Sequence, residues 1–179
     1  MRLGGLHLLC AVASLAVLWA GASARADEIA SRKYPLLSAY IYNFTQFTTW
    51  PAGAVRDSFT VCVVGANPFG GALDPMKSRT VQGKAIVIRH FSHGESSLSS
   101  CNILYIAPSE SGNVRSIIAA LNGAPVLTMS ELEGFTADGG MVEFTPEQGR
   151  IGITIGLSAV KAAGLSISSK LLSLASVKG

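Results

Sequence analysis

The chain has 179 residues, of which 49% are hydrophobic and only 14% charged, and its formal net charge is +3. This length allows one domain with a proper hydrophobic core. The sequence contains no run of Lys and Arg, which argues against a nucleic-acid partner. The few charges and many apolar residues favour a well-buried domain that leaves an apolar surface for a partner.

Residues 1–26 have the layout of a secretory signal peptide. Arg2 supplies a positive charge, Leu6–Trp19 is an almost unbroken apolar run, and small residues follow it. The apolar run is shorter than the roughly 20 residues that a membrane-spanning helix needs. We therefore expect export, with cleavage after Ala26 or Ala24. Cleavage would remove two arginines and no acidic residue, lowering the net charge from +3 to +1.

After this segment, strand patterns alternate with helix patterns. The predicted elements are a helix over Asp27–Thr49, a strand over Phe59–Val64, a helix over Asn67–Lys77, and strands over Lys84–Arg89 and Asn102–Ala107. A helix over Glu110–Leu121, strands over Pro125–Met129, Met141–Thr145 and Arg150–Ile155, and helices over Leu157–Ala163 and Ser168–Ser176 complete the chain. This order predicts one α/β domain over residues 27–179, with a mostly parallel sheet and an antiparallel edge hairpin.

The first predicted helix is rich in aromatic residues. Its apolar stripe has the three-and-four spacing of a helix face, and Tyr40 and Phe47 widen it. The stripe consists of Tyr34, Leu37, Ile41, Phe44 and Thr48. Stacking on a ligand would suit these rings, but packing of the helix on a sheet explains them more simply.

The turn after the first predicted strand comes close to a phosphate-binding loop. Gly65 and Gly70 have the G-x-x-x-x-G spacing, but Gly71 stands where the phosphate-binding Lys belongs, and Ala72 replaces the Ser or Thr. Pro68 also removes one of the N–H groups that an anion would use. Only a weak anion site therefore remains open at this turn.

Other candidate chemistry is sparse. His90 and His93 form an isolated H-x-x-H pattern with Glu95 nearby, in a Ser-rich loop that lacks further zinc ligands. No G-x-S-x-G nucleophile motif is present. The sequence therefore predicts no catalytic residues, no metal and no cofactor, and we expect a protein that is not an enzyme.

Two cysteines remain after residues 1–26. Cys62 lies inside one predicted strand and Cys101 immediately precedes another. Export favours a disulfide between them, which would close a loop of about 40 residues and stabilise the fold by roughly 4 kcal/mol. The alternative is a pair of buried thiols in neighbouring core positions.

Five segments, taken together and in order, resemble the YfiR-like family of periplasmic proteins. They are YNFTQFTTWP (Tyr42–Pro51), CVVGANPFGGALD (Cys62–Asp74), CNILYIAPSE (Cys101–Glu110), PVLTMSELEGFTADGGMVEF (Pro125–Phe144) and RIGITIGLSAVKAAGLSISSKLLSLA (Arg150–Ala175). The resemblance covers nearly the whole chain after residue 26.

This resemblance implies a periplasmic, non-enzymatic α/β domain of Rossmann-like, three-layer architecture. The family's namesake represses an inner-membrane diguanylate cyclase by contacting its periplasmic part. An outer-membrane lipoprotein sequesters that repressor, so envelope or redox stress releases cyclic di-GMP synthesis. Such proteins are often homodimers. Cys62 and Cys101 match one of the namesake's two cysteine pairs.

The chain also departs from the family pattern. The namesake's second cysteine pair is absent from the segment that holds Thr136 and Glu143 here. Gly156 replaces a usual Asn, and Thr154 stands where an acidic residue is frequent. Two of these changes lie in the segment that we expect to contact a partner, so the partner itself is expected to differ.

The leading expectation is a periplasmic regulator that restrains an inner-membrane diguanylate cyclase or sensor kinase. Thr154, Leu157 and Val160 are the predicted partner-binding residues, with apolar contacts supplying most of the affinity. The alternative expectation is a periplasmic module that senses a small molecule in the crevice beyond Gly65, at the ends of the parallel strands.

Overall fold

The computed structural model describes residues 33–92, 94–95, 97–147 and 150–179. The predicted signal peptide lies outside these residues. Helix α1 covers residues 33–47, and the other helices are α2 (Val114–Ala120), α3 (Leu157–Ala162) and α4 (Ser169–Leu172). The strands are β1 (Thr48–Thr49), β2 (Phe59–Val64), β3 (Thr80–Val81), β4 (Lys84–Phe91), β5 (Ile103–Ile106), β6 (Leu127–Ser130), β7 (Val142–Glu147), β8 (Arg150–Gly156), β9 (Ser166–Ile167) and β10 (Ser176–Lys178).

The main sheet has eight strands in the order β10-β8-β7-β6-β5-β2-β4-β3. Its centre, β4-β2-β5-β6-β7, is parallel throughout. The hairpin strand β8 is antiparallel to β7, and β10 pairs with β8 in parallel. A separate two-stranded antiparallel sheet joins β1 to β9. The predicted α/β class with a mostly parallel sheet is confirmed.

The sheet is buried on both faces at its centre, which explains why its central strands are mostly apolar. Every residue of β2 is buried. On one face, Val61 and Val63 pack in the cluster that contains Ile41 of α1. On the other face, Cys62 packs in the cluster that contains Ile117 of α2. Helix–sheet–helix layering is the three-layer arrangement expected of this class.

One predicted helix is wrong. Residues 67–73 form turns, and only Asp74–Ser78 forms a short 3-10 helix. The side-chain oxygen of Asn67 accepts a hydrogen bond from the Phe69 N–H at 2.9 Å, as a residue that caps a helix start would. Gly70 then takes a φ of +53°, so the backbone leaves the right-handed helical region before a helix can propagate.

The predicted ends of the other helices also need correction. The helix after β5 is shorter than predicted, because Pro108–Glu110 forms a 3-10 turn and the α-helix begins only at Val114. The last predicted helix ends at Leu172, and Ser176–Lys178 forms a strand beside β8 instead. The hairpin is therefore not the edge of the sheet, since β10 lies outside it.

Candidate functional site

The carboxyl edge of the parallel strands is the usual ligand site in sheets of this kind. Strand order reverses between β2 and β5, so the crevice would open beside Gly65. Ser109 and Glu110 fill that place. The Ser109 hydroxyl accepts a hydrogen bond from the Ala66 N–H at 2.9 Å. A Cβ on Gly65 would lie 2.5 Å from the Ser109 Oγ and 2.8 Å from the Glu110 Cγ. Ser109 and Glu110 thus occupy the space directly beside Gly65.

A buried polar cluster occupies the neighbouring part of this edge. Glu131, which follows β6, accepts a hydrogen bond from the Tyr105 hydroxyl of β5 at 3.0 Å and one from the Tyr34 hydroxyl of α1 at 2.9 Å. The Lys33 ammonium forms an ion pair with the same carboxylate. The ring of Phe69 contacts Tyr34 and Tyr105 edge to face. These contacts attach Lys33 and Tyr34, the first described residues of α1, to the sheet.

The electrostatics of this cluster favour anchoring over catalysis. Burial raises the pKa of Tyr105, and the charge on an ionised Tyr34 would raise it further. Burial likewise raises the pKa of Tyr34 and lowers that of Lys33. Both phenols therefore stay protonated at neutral pH and keep donating to Glu131. A catalytic base or nucleophile would need the opposite shift for the tyrosines.

No assembled catalytic or metal site is found in the part of the chain that the structure describes. Among those residues, no three or more His, Cys, Asp or Glu side chains lie together in a way that could hold a metal ion. His90 is exposed on β4, and its predicted partner His93 lies outside the described residues. None of the helices in this part combines the length and hydropathy that crossing a membrane requires.

A mainly apolar groove of 630 Å³ lies beside α1. We call it the α1 groove. Its lining comes from α1, from the β7–β8 hairpin and from the segment around α4, and comprises Leu36, Tyr40, Asn43, Phe47, Glu147, Arg150, Ile151, Gly152, Ile153, Leu171, Ser173, Leu174, Ala175 and Ser176. Three of its large apolar side chains are exposed: Leu36 by 43%, Phe47 by 38% and Leu174 by 76%.

The sequence contained a signal for the helical wall of this groove. The α1 residues that line it are Leu36, Tyr40, Asn43 and Phe47. Their four-three-four spacing marks one helix face, next to the buried face that Leu37, Ile41 and Phe44 form. Sequence alone places Tyr40 and Phe47 in the packed stripe, because both stripes are apolar. In the structure both residues line the groove.

The structure separates the three residues predicted to bind a partner. Thr154 pairs across β8 with Glu143 of β7 and Ser176 of β10, and it is partly exposed. Leu157, the first residue of α3, is also partly exposed. Val160 has 0% exposure and belongs to the core. Val160 cannot touch a partner in this conformation, so only Thr154 and Leu157 remain available for contact.

The predicted cysteine pair is joined. Cys62 in β2 and Cys101 just before β5 form a disulfide, with a Cα–Cα distance of 6.0 Å. Strands β2 and β5 are neighbours in the sheet, which is what such a bond requires. Both cysteines are buried in the face that α2 covers.

Comparison with known proteins fixes the family. The sequence model of YfiR/HmsC-like proteins matches residues 34–176. The chain belongs to the YfiR/HmsC-like family. This family acts by regulation rather than catalysis and consists of periplasmic regulators of diguanylate cyclases.

A solved structure agrees with the fold. A conserved domain protein from Vibrio cholerae O1 biovar El Tor str. N16961 has a TM-score of 0.50 to this chain at 12% identity. The match covers 66% of this chain and 54% of that one, so the chain spans about half of that protein's length. At this identity the likeness shows the fold alone. Among curated proteins, none matches this sequence.

The structure accounts for two departures from the YfiR/HmsC-like pattern. Where the namesake has its second cysteine pair, Glu143 accepts hydrogen bonds from the N–H and the hydroxyl of Thr136, at 3.0 and 2.9 Å. A non-covalent link thus holds this segment. At Gly156, a Cβ would lie 2.8 Å from the carbonyl oxygen of Gly140, so the close backbone approach excludes the usual Asn.

Proposed function

We propose that this protein is a periplasmic regulator that binds and restrains an inner-membrane diguanylate cyclase, and that envelope or redox stress relieves the restraint. Family membership supports a regulatory role. No assembled catalytic site is found among the described residues. Export, which the first 26 residues predict, would place the protein beside the periplasmic part of such a cyclase.

The observation that carries this proposal is the exposed apolar surface of the α1 groove. Leu174 keeps 76% of its surface in water and lines the groove together with Leu36 and Phe47. Full burial of a Leu or Phe side chain is worth roughly 1.5–3 kcal/mol. Covering Leu36, Phe47 and Leu174 together would therefore supply a central apolar contact of the kind that dominates interface energies.

The rim of the groove suits a selective interface. Glu147 and Arg150 end β7 and begin β8, and they place opposite charges at one end of the apolar lining. Polar rims of this kind set orientation more than affinity. Thr154 and Leu157, which follow the groove residue Ile153 in sequence but lie outside the groove lining, are proposed as a separate second contact.

Capture of the cyclase by the purified protein tests this proposal. The bait is the full exported chain, and the prey is the periplasmic part of an inner-membrane diguanylate cyclase from the same cell. We expect Leu174→Asp and Phe47→Asp each to reduce capture by tenfold or more, since each would bury a charge in an apolar contact. The matched control is Val87→Asp on β4, because Val87 is 40% exposed but lies outside the groove.

Capture that Leu174→Asp and Phe47→Asp leave at the wild-type level would show that the groove is not the docking surface. A loss of capture with Val87→Asp equal to that with Leu174→Asp would show a general effect of added charge. Leu157→Asp reports separately on the proposed second contact.

A further inference from the structure

A polar cleft lies at the amino ends of the parallel strands, on the edge of the sheet opposite to Gly65. It has a volume of 470 Å³. Its walls are the loop between β1 and β2, the residues that precede β5, and Arg89 of β4. The lining contains no large apolar side chain, which distinguishes it from the α1 groove. None of its side chains belongs to the polar cluster around Glu131 or to the α1 groove.

The cleft carries an excess of positive charge. Arg56 and Arg89 contribute two guanidinium groups, and Asp57 is the one acidic residue of the lining. Both arginines are exposed, and within the described residues neither takes part in an ion pair. The Arg89 guanidinium carbon lies 4.9 Å from the centroid of the Phe91 ring, and among the described residues the Arg89 N–H groups donate no hydrogen bond.

Small hydroxyl groups complete the lining. Ser58 precedes β2, and Ser99 and Ser100 precede β5. The Ser100 hydroxyl donates to the Ser97 carbonyl oxygen at 2.6 Å, which leaves Ser58 and Ser99 as the hydroxyl donors toward a ligand. A Ser hydroxyl both donates and accepts, and it occupies little space beside a bulky anion. Two guanidinium groups together with short hydroxyls form a donor set that matches the oxygens of a phosphate group.

The walls of the cleft are held in place before any ligand arrives. The buried side chain of Asn102 accepts a hydrogen bond from the Thr60 N–H at 2.8 Å and donates one to the Ala54 carbonyl oxygen at 3.0 Å. It thereby joins the loop before β2 to the segment before β5. The disulfide between Cys62 and Cys101 fixes the same segment to β2. A preformed site loses little conformational entropy on binding.

We propose that this cleft binds a small phosphate-bearing anion, with Arg56 and Arg89 as its principal ligands. The volume lies within the range of about 300–1,000 Å³ that small-molecule sites occupy. Asp57 opposes binding through its charge and so limits the affinity. The proposal does not depend on the partner proposed above, because binding to the purified protein can be measured without that partner.

Isothermal titration calorimetry on the disulfide-bonded full exported chain tests the proposal, at low ionic strength with chloride as the buffer anion. Inorganic phosphate and glycerol phosphate are the two probes. We expect saturable binding, weakened about tenfold by Arg56→Gln and again by Arg89→Gln, each of which removes charge-assisted hydrogen bonds. Asp57→Asn should tighten binding. Arg115→Gln on α2 is the matched control, because it removes the same charge outside the cleft.

Binding of inorganic phosphate alone would identify the free anion as the ligand, and binding of both probes would show that phosphate esters are accepted. Absence of saturable binding to the wild-type chain would overturn the proposal. Weakening by Arg115→Gln that equals the effect of Arg56→Gln would also overturn it, since the attraction would then come from net charge. Unchanged circular dichroism of the exposed-arginine variants confirms that they are folded.

Discussion

The buried carboxylate of Glu143 offers a sharp test of the packing described above. It lies on β7 and accepts three hydrogen bonds from the 134–136 segment: one from the Gly134 N–H at 3.1 Å, and two from Thr136. The variant Glu143→Gln keeps the shape of the side chain but replaces one acceptor oxygen with a donor. At least one of the three bonds must then be lost.

The cost can be estimated from these contacts. A hydrogen bond to a charged group contributes roughly 1.5–3 kcal/mol, and a buried donor left without a partner costs about 1–3 kcal/mol. We expect Glu143→Gln to lower the free energy of unfolding by about 2–4 kcal/mol. For a domain of this size, a loss of 2 kcal/mol corresponds to a fall in Tm of about 4–8 °C.

The loss should depend on pH with a definite sign. Burial raises the pKa of Glu143, but the hydrogen bonds from Thr136 and Gly134 and the charge of Lys178 outweigh it, so the folded pKa lies below the ordinary value. The stabilisation is therefore complete above the unfolded pKa of roughly 4.3 and disappears as the pH falls through the folded pKa. The difference between wild type and variant should be constant from about pH 5.5 to 7.5 and should shrink in acid.

Urea unfolding followed by circular dichroism at several pH values measures both effects. Glu133→Gln is the matched control, because Glu133 adjoins the 134–136 segment and is exposed. We expect it to change stability by less than about 0.5 kcal/mol. The reasoning would be refuted by a Glu143→Gln variant as stable as wild type at pH 7, or by a stability difference that does not shrink below pH 4.

Three further predictions concern the core. Replacement of both Cys62 and Cys101 by Ala should lower the free energy of unfolding in urea by about 4 kcal/mol, because the bond closes a loop with a sequence separation of 39; a loss below 1 kcal/mol would contradict this. Tyr105→Phe removes a buried donor to Glu131 and should cost about 1–2 kcal/mol in the same assay, and an unchanged midpoint would show that the bond is not formed. Val160→Asp should not yield folded protein, since it buries a charge in the core, whereas a soluble variant with wild-type Tm would show that the site is open to water.

The parallel core of the sheet was predictable because burial on both faces leaves a clear pattern. The predicted strand Phe59–Val64 matches β2 residue for residue. Its apolar residues fill both sides of the sheet, as a central parallel strand requires. The cysteine pair was predicted on other grounds, from export and from the position of Cys62 inside one predicted strand and Cys101 just before another. The structure shows that those two strands are neighbours.

The turn that begins at Asn67 and the last strand were harder to predict from the sequence. Asn67 followed by Pro68 has the sequence of a helix start, and Asn67 does cap the Phe69 N–H. The backbone of Gly70 then leaves the helical region, and sequence shows only that glycine permits this. The strand Ser176–Lys178 was missed because three exposed residues carry no pattern, and their pairing with β8 depends entirely on tertiary context.

The candidate site was predicted least well, for a physical reason. A groove is a relation between separate elements, and the α1 groove joins Phe47, Ile151 and Leu174 across more than 100 residues of sequence. Sequence marked the region around Leu157 as apolar, but it could not show that Val160 is buried or that Leu174 is exposed. Whether an apolar residue is buried or exposed depends on how the neighbouring helices and strands pack around it.

The level of cyclic di-GMP in the producing cell tests the central claim most directly. Cells that carry the wild-type protein, the Leu174→Asp variant or no copy are compared at equal amounts of periplasmic protein. The account predicts low cyclic di-GMP with the wild type, and a rise with Leu174→Asp to the level of cells without the protein. Cyclic di-GMP that stays low with Leu174→Asp would contradict docking through the α1 groove. Equal cyclic di-GMP levels in cells with the wild-type protein and in cells without it would contradict the regulatory role itself.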